Sequence, residues 1–177
     1  MPEIHTTPSV VVRILLWLLL LVGGTAFSVA TDRHDPLFHS VSFHAVSFCI
    51  GTFLVFMAFR AAANGGRELK KGRTGDTPRL ETNRIVTTGI YACMRHPMLF
   101  GLALLPPGLA FLVGSPTFIA VVAPAEMFFI AVMVLVFEEM EVRRKFGAAY
   151  EAYREKVPAV SFRYDCLKRL FGRVPPS

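Results

Sequence analysis

Between Thr87 and Gly101 the chain reads Thr-Thr-Gly-Ile-Tyr-Ala-Cys-Met-Arg-His-Pro-Met-Leu-Phe-Gly. Tyr91, Cys93, Arg95 and His96 crowd together where a polar segment runs into an apolar one. Proline is favoured at the first position of a helix and pushes its predecessor out of helical geometry. Pro97 is therefore read as the start of a helix, with His96 at the cap and its ring free to turn toward a ligand. The unpaired N–H groups of a helix start carry partial positive charge, and Arg95 adds a permanent cation. Such a corner suits a carboxylate or a phosphate at a membrane surface. The plainer alternative is a cap and a snorkelling arginine that only anchor the helix.

A second polar cluster, Glu138-Glu139, closes the next apolar stretch. Two carboxylates at a bilayer boundary are costly unless solvated or paired. Consecutive helical residues point about 100° apart. One can face the bundle, where it could hold an amino group or ribose hydroxyls, while the other meets solvent or a cation. The alternative is a solvated helix end, with Arg143 or a neighbouring lysine as partner. Glu126 is the one carboxylate inside the fourth apolar block. An acid within a membrane segment is a functional candidate by default, or else it bonds a Ser, Thr or His nearby or marks a kink at Pro124. His39 and His44 are expected to be interfacial or hydrogen-bonded. Cys49, Cys93 and Cys166 are scattered without metal or CxxC spacing, so neither a disulfide framework nor a zinc site is expected, and no base is spaced to make Cys93 a nucleophile.

The elements that must position these groups are apolar blocks. The chain has 177 residues, 53% of them hydrophobic, against about 45–50% in ordinary soluble domains, and the excess falls in runs. A first span is predicted over Val10 to Ala30, near the roughly 20 residues a bilayer requires, and is read as a retained helix rather than a cleaved leader. A second runs from Leu37 to Ala63. A polar stretch from Asn64 to Met94 follows, in which Gly65, Gly66, Gly72, Gly75 and Pro78 are expected to break any long helix. The third block, Pro97 to Val113, is short and holds Pro106-Pro107, which should kink it. After the turn Gly114-Ser115-Pro116, a fourth runs from Thr117 to Phe137. In the tail, Phe146, Tyr150, Tyr153 and Val157 share one helical face opposite a charged one, which predicts an interfacial amphipathic helix ended by Pro158.

The expected fold is all-α: an integral-membrane bundle of about four helices, the last two a hairpin, with that C-terminal helix added. It forms one domain, made of an N-terminal helical pair (9–63), a basic loop (64–96), and a hairpin with the C-terminal helix (97–160). The hairpin would bring the two polar clusters together. The formal charge of +6 could suit nucleic acid, but no nucleic-acid module is visible. Arg67, Lys70, Lys71, Arg73, Arg79, Arg84 and the tail carry most of the charge, which places both termini and both clusters on the cytoplasmic side.

Gly89-Ile90-Tyr91, Arg95-His96-Pro97 and Gly101, followed after a hairpin by Glu138-Glu139, Phe146-Gly147, Tyr150, Tyr153 and Val157-Pro158, resemble the isoprenylcysteine carboxyl methyltransferase family. Its members, grouped with the phospholipid methyltransferases, are integral-membrane enzymes using S-adenosylmethionine. The resemblance covers about residues 80–160 and implies a cofactor pocket at the cytoplasmic helix ends. Tyr91, Arg95, His96, Pro97, Met98 and Leu99 match one wall, Asn83, Ile85 and Val86 the segment leading in, and Glu138 a cofactor-contacting glutamate. It also implies a lipidic or membrane-partitioning acceptor entering from the bilayer. Leu99 stands where the family usually carries tyrosine. Val134 stands where its eukaryotic carboxyl methyltransferases carry a substrate arginine, so the donor half of the site is implied better than the acceptor half. A carboxylate or thiolate acceptor needs little activation, whereas an amine needs a base, for which Glu139 and Glu126 are the candidates. Two other readings stand beside it: a membrane reductase using NADPH, and a small non-enzymatic membrane scaffold.

Overall fold

In the computed structural model, residues 7–73 and 82–172 are described, and every described element is helical. The expectations placed on Gly75, Pro78 and Arg79 fall outside those residues. Helix α1 spans Thr7–Asp32 and α2 Val41–Lys70. A single turn, Gly89–Ala92, precedes α3, Pro97–Val113. A continuous helical run, α4, covers Phe118–Phe146, followed by α5, Ala148–Lys156, and α6, Tyr164–Phe171. Helices α1, α2 and α4 are long and apolar enough to cross a bilayer; α3 is shorter. Leu19, Val22 and Phe128 are among the large apolar side chains left exposed along these helices, as a hydrocarbon solvent requires.

The most extensive interface joins α2 to α3, and small residues make it. A Cβ at Gly51 would lie 2.6 Å from the Leu112 nitrogen, and one at Gly101 2.8 Å from the Ala58 carbonyl oxygen. Ala58 and Ala61 are buried beside them. In a bilayer, helices gain no hydrophobic drive from meeting each other, so close backbone approach over small residues supplies the contact. The same interface corrects the expected helix break: α2 continues through Gly65-Gly66 to Lys70. Gly65 gives way to Met98 and Pro97 at the start of α3, with Met98 Cγ 2.8 Å from where its Cβ would stand. Tertiary packing outweighs the local cost of glycine in a helix.

The α3–α4 turn closes as expected. Gly114 takes φ 68° and its N–H reaches the Ala110 carbonyl at 2.9 Å, a left-handed helix cap. Asp32, the last residue of α1, fastens this turn. Its buried carboxylate accepts from the Thr117 N–H at 3.0 Å and from the hydroxyls of Ser115 and Thr117. Three donors are left without an acceptor in Asp32→Ala. We expect a loss of about 2–3 kcal/mol, the range for hydrogen bonds to a buried charged group. It would be seen as a lower melting temperature in detergent, with Asp32→Asn intermediate. An unchanged transition would show that the knot does not hold α1.

Two further differences from expectation concern α4 and the tail. Helix α4 does not end at Phe137; Glu138 and Glu139 lie inside it, and the run stops only at Gly147, whose φ is 53°. It contains two wide π segments, Phe118–Val122 and Met133–Glu138. The amphipathic tail is present but divided at Gly147. Tyr150 and Tyr153 of α5 are buried against the protein rather than turned to lipid. Helix α6, which was not foreseen, lays Cys166 and Leu170 into a cluster with Ala61, Val86, Ile90, Tyr91 and Met94.

Candidate functional site

His96 caps α3 with φ −119° and ψ 62°, and Pro97 occupies the first turn. The Arg95 and His96 N–H groups reach the carbonyls of Pro158 and Ala159, each at 3.0 Å. The strap after α5 is thus tied directly to the start of α3. The His96 ring is buried, and its Nε2 has no hydrogen-bond partner among the described residues. Burial pushes its pKa down to about 4; the Glu139 charge opposes the shift and the Arg95 charge adds to it. The ring is neutral at physiological pH, with one nitrogen available.

The two polar clusters meet. Arg95 Nη2 donates to Glu139 Oε1 at 2.7 Å, and both side chains are nearly buried. Arg95 Nη1 donates to the carbonyls of Val157 (2.7 Å) and Arg154 (3.1 Å), capping the end of α5. Glu139 Oε1 also accepts from the Tyr150 hydroxyl at 3.1 Å, with Arg154 Nε at 3.4 Å. Burial, then the Glu139 charge, pushes Tyr150 up to about 12. Among the described residues every partner of Glu139 is a donor or a cation. The structure places this carboxylate as the keystone of the corner rather than as a free base.

Tyr91 enters from the other side. The backbone bends there because Gly89 takes φ 59° and passes so close to Glu68 that a Cβ would sit 2.4 Å from its carboxyl carbon. The Tyr153 hydroxyl donates to the Tyr91 carbonyl at 2.6 Å. The Tyr91 phenol is raised well above its ordinary range, first by burial and next by the charge of Glu138. Glu138 therefore lies within electrostatic reach of Tyr91. It is exposed and makes no hydrogen bond among the described residues. Of the two glutamates, Glu139 is the buried one.

The remaining expected residues divide. Pro97 and Leu99 are buried in the first turn of α3, and Met98 packs on Gly65, toward α2. Val86 belongs to the core cluster, and the Asn83 N–H reaches the Gly72 carbonyl at 3.3 Å, so the 83–86 segment, with Ile85 half-buried, folds back on the end of α2. Glu126 is not brought to the corner. It is buried against Gly24 of α1, with neither oxygen hydrogen-bonded among the described residues, and twelve residues before Glu138 it stands roughly 18 Å away along the helix. His39 and His44 bond the carbonyls of Arg33 and Phe38. Among the described residues no His, Cys, Asp and Glu cluster could hold a metal.

Sequence reasoning missed three supports. Tyr150 and Tyr153 share one helical face, a pattern that by itself fits a membrane interface as well as a buried carboxylate. Asn64 of α2 donates to the carbonyls of Leu170 and Gly172, capping α6; nothing in its neighbourhood announced this. Cys93 and Cys166 form a disulfide, with Cα atoms 5.6 Å apart, against the expectation that the thiols were unrelated. A separation of 73 residues carries no spacing signal. Closing so long a loop is worth about 2–4 kcal/mol. Cys166→Ser is expected to lower the melting temperature correspondingly, and added reductant should bring the unsubstituted protein to the same value. If reductant changes nothing, the bond does not form.

The Phospholipid methyltransferase family model matches residues 41–149, from the start of α2 to the residue before Tyr150. No curated protein and no solved structure matches the chain. The matched stretch contains both polar clusters and the hairpin between them.

Proposed function

We infer the reaction of this corner from one premise: the chain belongs to the phospholipid methyltransferase family, and it is a membrane methyltransferase. The reading supported best is transfer from S-adenosylmethionine to a lipidic or membrane-partitioning acceptor, beside Tyr91, His96 and Glu138. The observation that carries it is the buried, neutral His96 ring with an unpartnered Nε2, fixed against the Arg95–Glu139 pair. A buried polar atom without a partner is costly, and a polar ligand relieves it.

S-adenosylmethionine, when bound, supplies a methyl group already activated on a sulfonium, so the protein's part is positioning and exclusion of water. His96 and Glu138 would hold its polar groups, with Tyr91 and the first turn of α3 as the wall. Arg95, Glu139 and Tyr150 keep that wall in place. The cleft beside Glu139, lined also by Leu135, Val136, Met140, Arg143 and Arg154, measures about 170 Å3. A cofactor-sized ligand needs roughly 300–1,000 Å3, and Tyr91, His96 and Glu138 do not line this cleft, so the donor is not assigned to it. With Glu139 paired and Glu126 remote, an acceptor that is already nucleophilic fits better than a protonated amine. The whole chain acts as one catalytic unit, the pair α1–α2 supporting the hairpin α3–α4. The basic residues at the end of α2 and in the tail orient that end toward the cytoplasm. In a reducing cytoplasm Cys93 and Cys166 would be held as thiols.

The test is reconstitution of the protein in vesicles with donor carrying a labelled methyl group. Label is expected in the lipid fraction, and only with His96 intact. Stabilisation by NADPH and not by S-adenosylhomocysteine would move the assignment to a reductase. Absence of both transfer and donor binding would leave a scaffold.

A further inference from the structure

A second cleft, of about 740 Å3, opens on the far side of the 89–92 turn, between the end of α2 and α6. Neither His96 nor Glu138 lines it. Lys156, Arg163, Lys168 and Arg169 do. All four are exposed, and none is in an ion pair among the described residues. Elsewhere Arg13 meets Glu141, Lys71 meets Glu68, Arg95 meets Glu139 and Arg143 meets Glu151, whereas among the described residues Arg169 Nη1 donates only to the Gly89 carbonyl, at 3.4 Å. Two carboxylates reach the cleft. Glu68 is already held by Lys71 at 2.8 Å, and Asp165 sits in the first turn of α6. The excess is positive, and like charges gathered on one cleft repel unless an anion joins them.

The setting says where that anion comes from. Phe162 and Tyr164, on either side of Arg163, are 78% and 77% exposed. Aromatic side chains alternating with a basic one, at the start of a short amphipathic helix beside membrane spans, belong at the headgroup level of a bilayer. The cleft's framework is fixed: Asn64 caps α6, and Cys166 and Leu170 anchor it. We propose that this cleft binds a phosphate group, presented by the headgroup of an anionic phospholipid in the leaflet it faces. The site is separate from the methyl-transfer corner and stands whatever that corner's cofactor is.

The full chain, purified in a neutral detergent and stripped of lipid, is titrated with short-chain phosphatidylglycerol, short-chain phosphatidylcholine and inorganic phosphate, with binding read by native mass spectrometry. Phosphatidylglycerol is expected to bind at least tenfold more tightly than phosphatidylcholine, with an affinity that falls as salt is raised. The triple variant R163Q/K168Q/R169Q should lose that preference. So should K156Q in part, and because Lys156 lies on α5, it reads the same cleft without altering α6. Thermal melting and a monodisperse elution in gel filtration report that the variants are folded. Tight binding of inorganic phosphate with no lipid preference supports the phosphate site and assigns it a soluble source. The proposal is overturned if neither phosphatidylglycerol nor phosphate binds in preference to phosphatidylcholine, or if the folded variants bind as the unsubstituted chain does.

Discussion

Replacing His96 by alanine is expected to weaken S-adenosylhomocysteine binding about 30-fold, or about 2 kcal/mol, the scale of one well-placed hydrogen bond in a dry site. The ring is buried and its Nε2 has no partner among the described residues, so a polar ligand placed there gains a hydrogen bond. Glu138→Ala should give a loss of similar size, because Glu138 lies within electrostatic reach of Tyr91 and makes no hydrogen bond among the described residues. Calorimetric titration measures both. Unchanged affinity in the two variants would remove the corner from consideration as the donor site. His96 also predicts a pH dependence. Its folded pKa is depressed to about 4, against about 6.5 in an unfolded chain, so the unfolded state binds more protons between those values. Stability therefore rises with pH across that window, by at most about 3 kcal/mol, and this contribution is level above it. In His96→Gln that part of the slope should vanish. An identical stability profile from pH 4 to 7 in the variant would contradict the buried neutral ring.

Glu139→Ala is expected to cost about 3–5 kcal/mol, because it strands a nearly buried guanidinium without its carboxylate. Arg95→Met should cost as much from the other side, and it also uncaps the carbonyls of Arg154 and Val157. The double variant Arg95→Met, Glu139→Met removes both charges at once. Buried ion pairs replaced by apolar groups are often near neutral, so the double variant should be more stable than the sum of the singles predicts, with a coupling of about 2 kcal/mol or more. Unfolding titrations in mixed detergent would measure the cycle. Additive singles, each below about 1 kcal/mol, would show that the pair does not hold the two clusters together. Methyl transfer should fall in all three variants, because the strap that fixes His96 loses its anchor.

Much of this was legible along the chain. Apolar runs long enough to span a bilayer can only be helices there, since every backbone N–H and C=O must bond within its own segment. Pro97 after His96 announced a helix start, Gly114 a helix end, and the spacing of the two polar clusters across a hairpin announced their meeting. Local preference misled at Gly65-Gly66, where a helix continues because small residues let α3 approach, and at Tyr150 and Tyr153. A tyrosine face looks the same in sequence whether it meets lipid or a buried carboxylate.

The roles of Glu138 and Glu139 mark the boundary most clearly. By itself the sequence determined that two adjacent helical carboxylates would not share a face, so that one could turn inward while the other met solvent, because neighbours on a helix point about 100° apart. It could not determine which, since the π segment Met133–Glu138 shifts the phase of the helix just before them, and such a shift has no periodic signature. Only the tertiary structure decided that Glu139 meets Arg95 and Tyr150 while Glu138 stays open. It alone also joined Cys93 to Cys166 and Asn64 to the end of α6. These contacts link residues distant along the chain, and their energies depend on positions in space rather than on spacing in sequence.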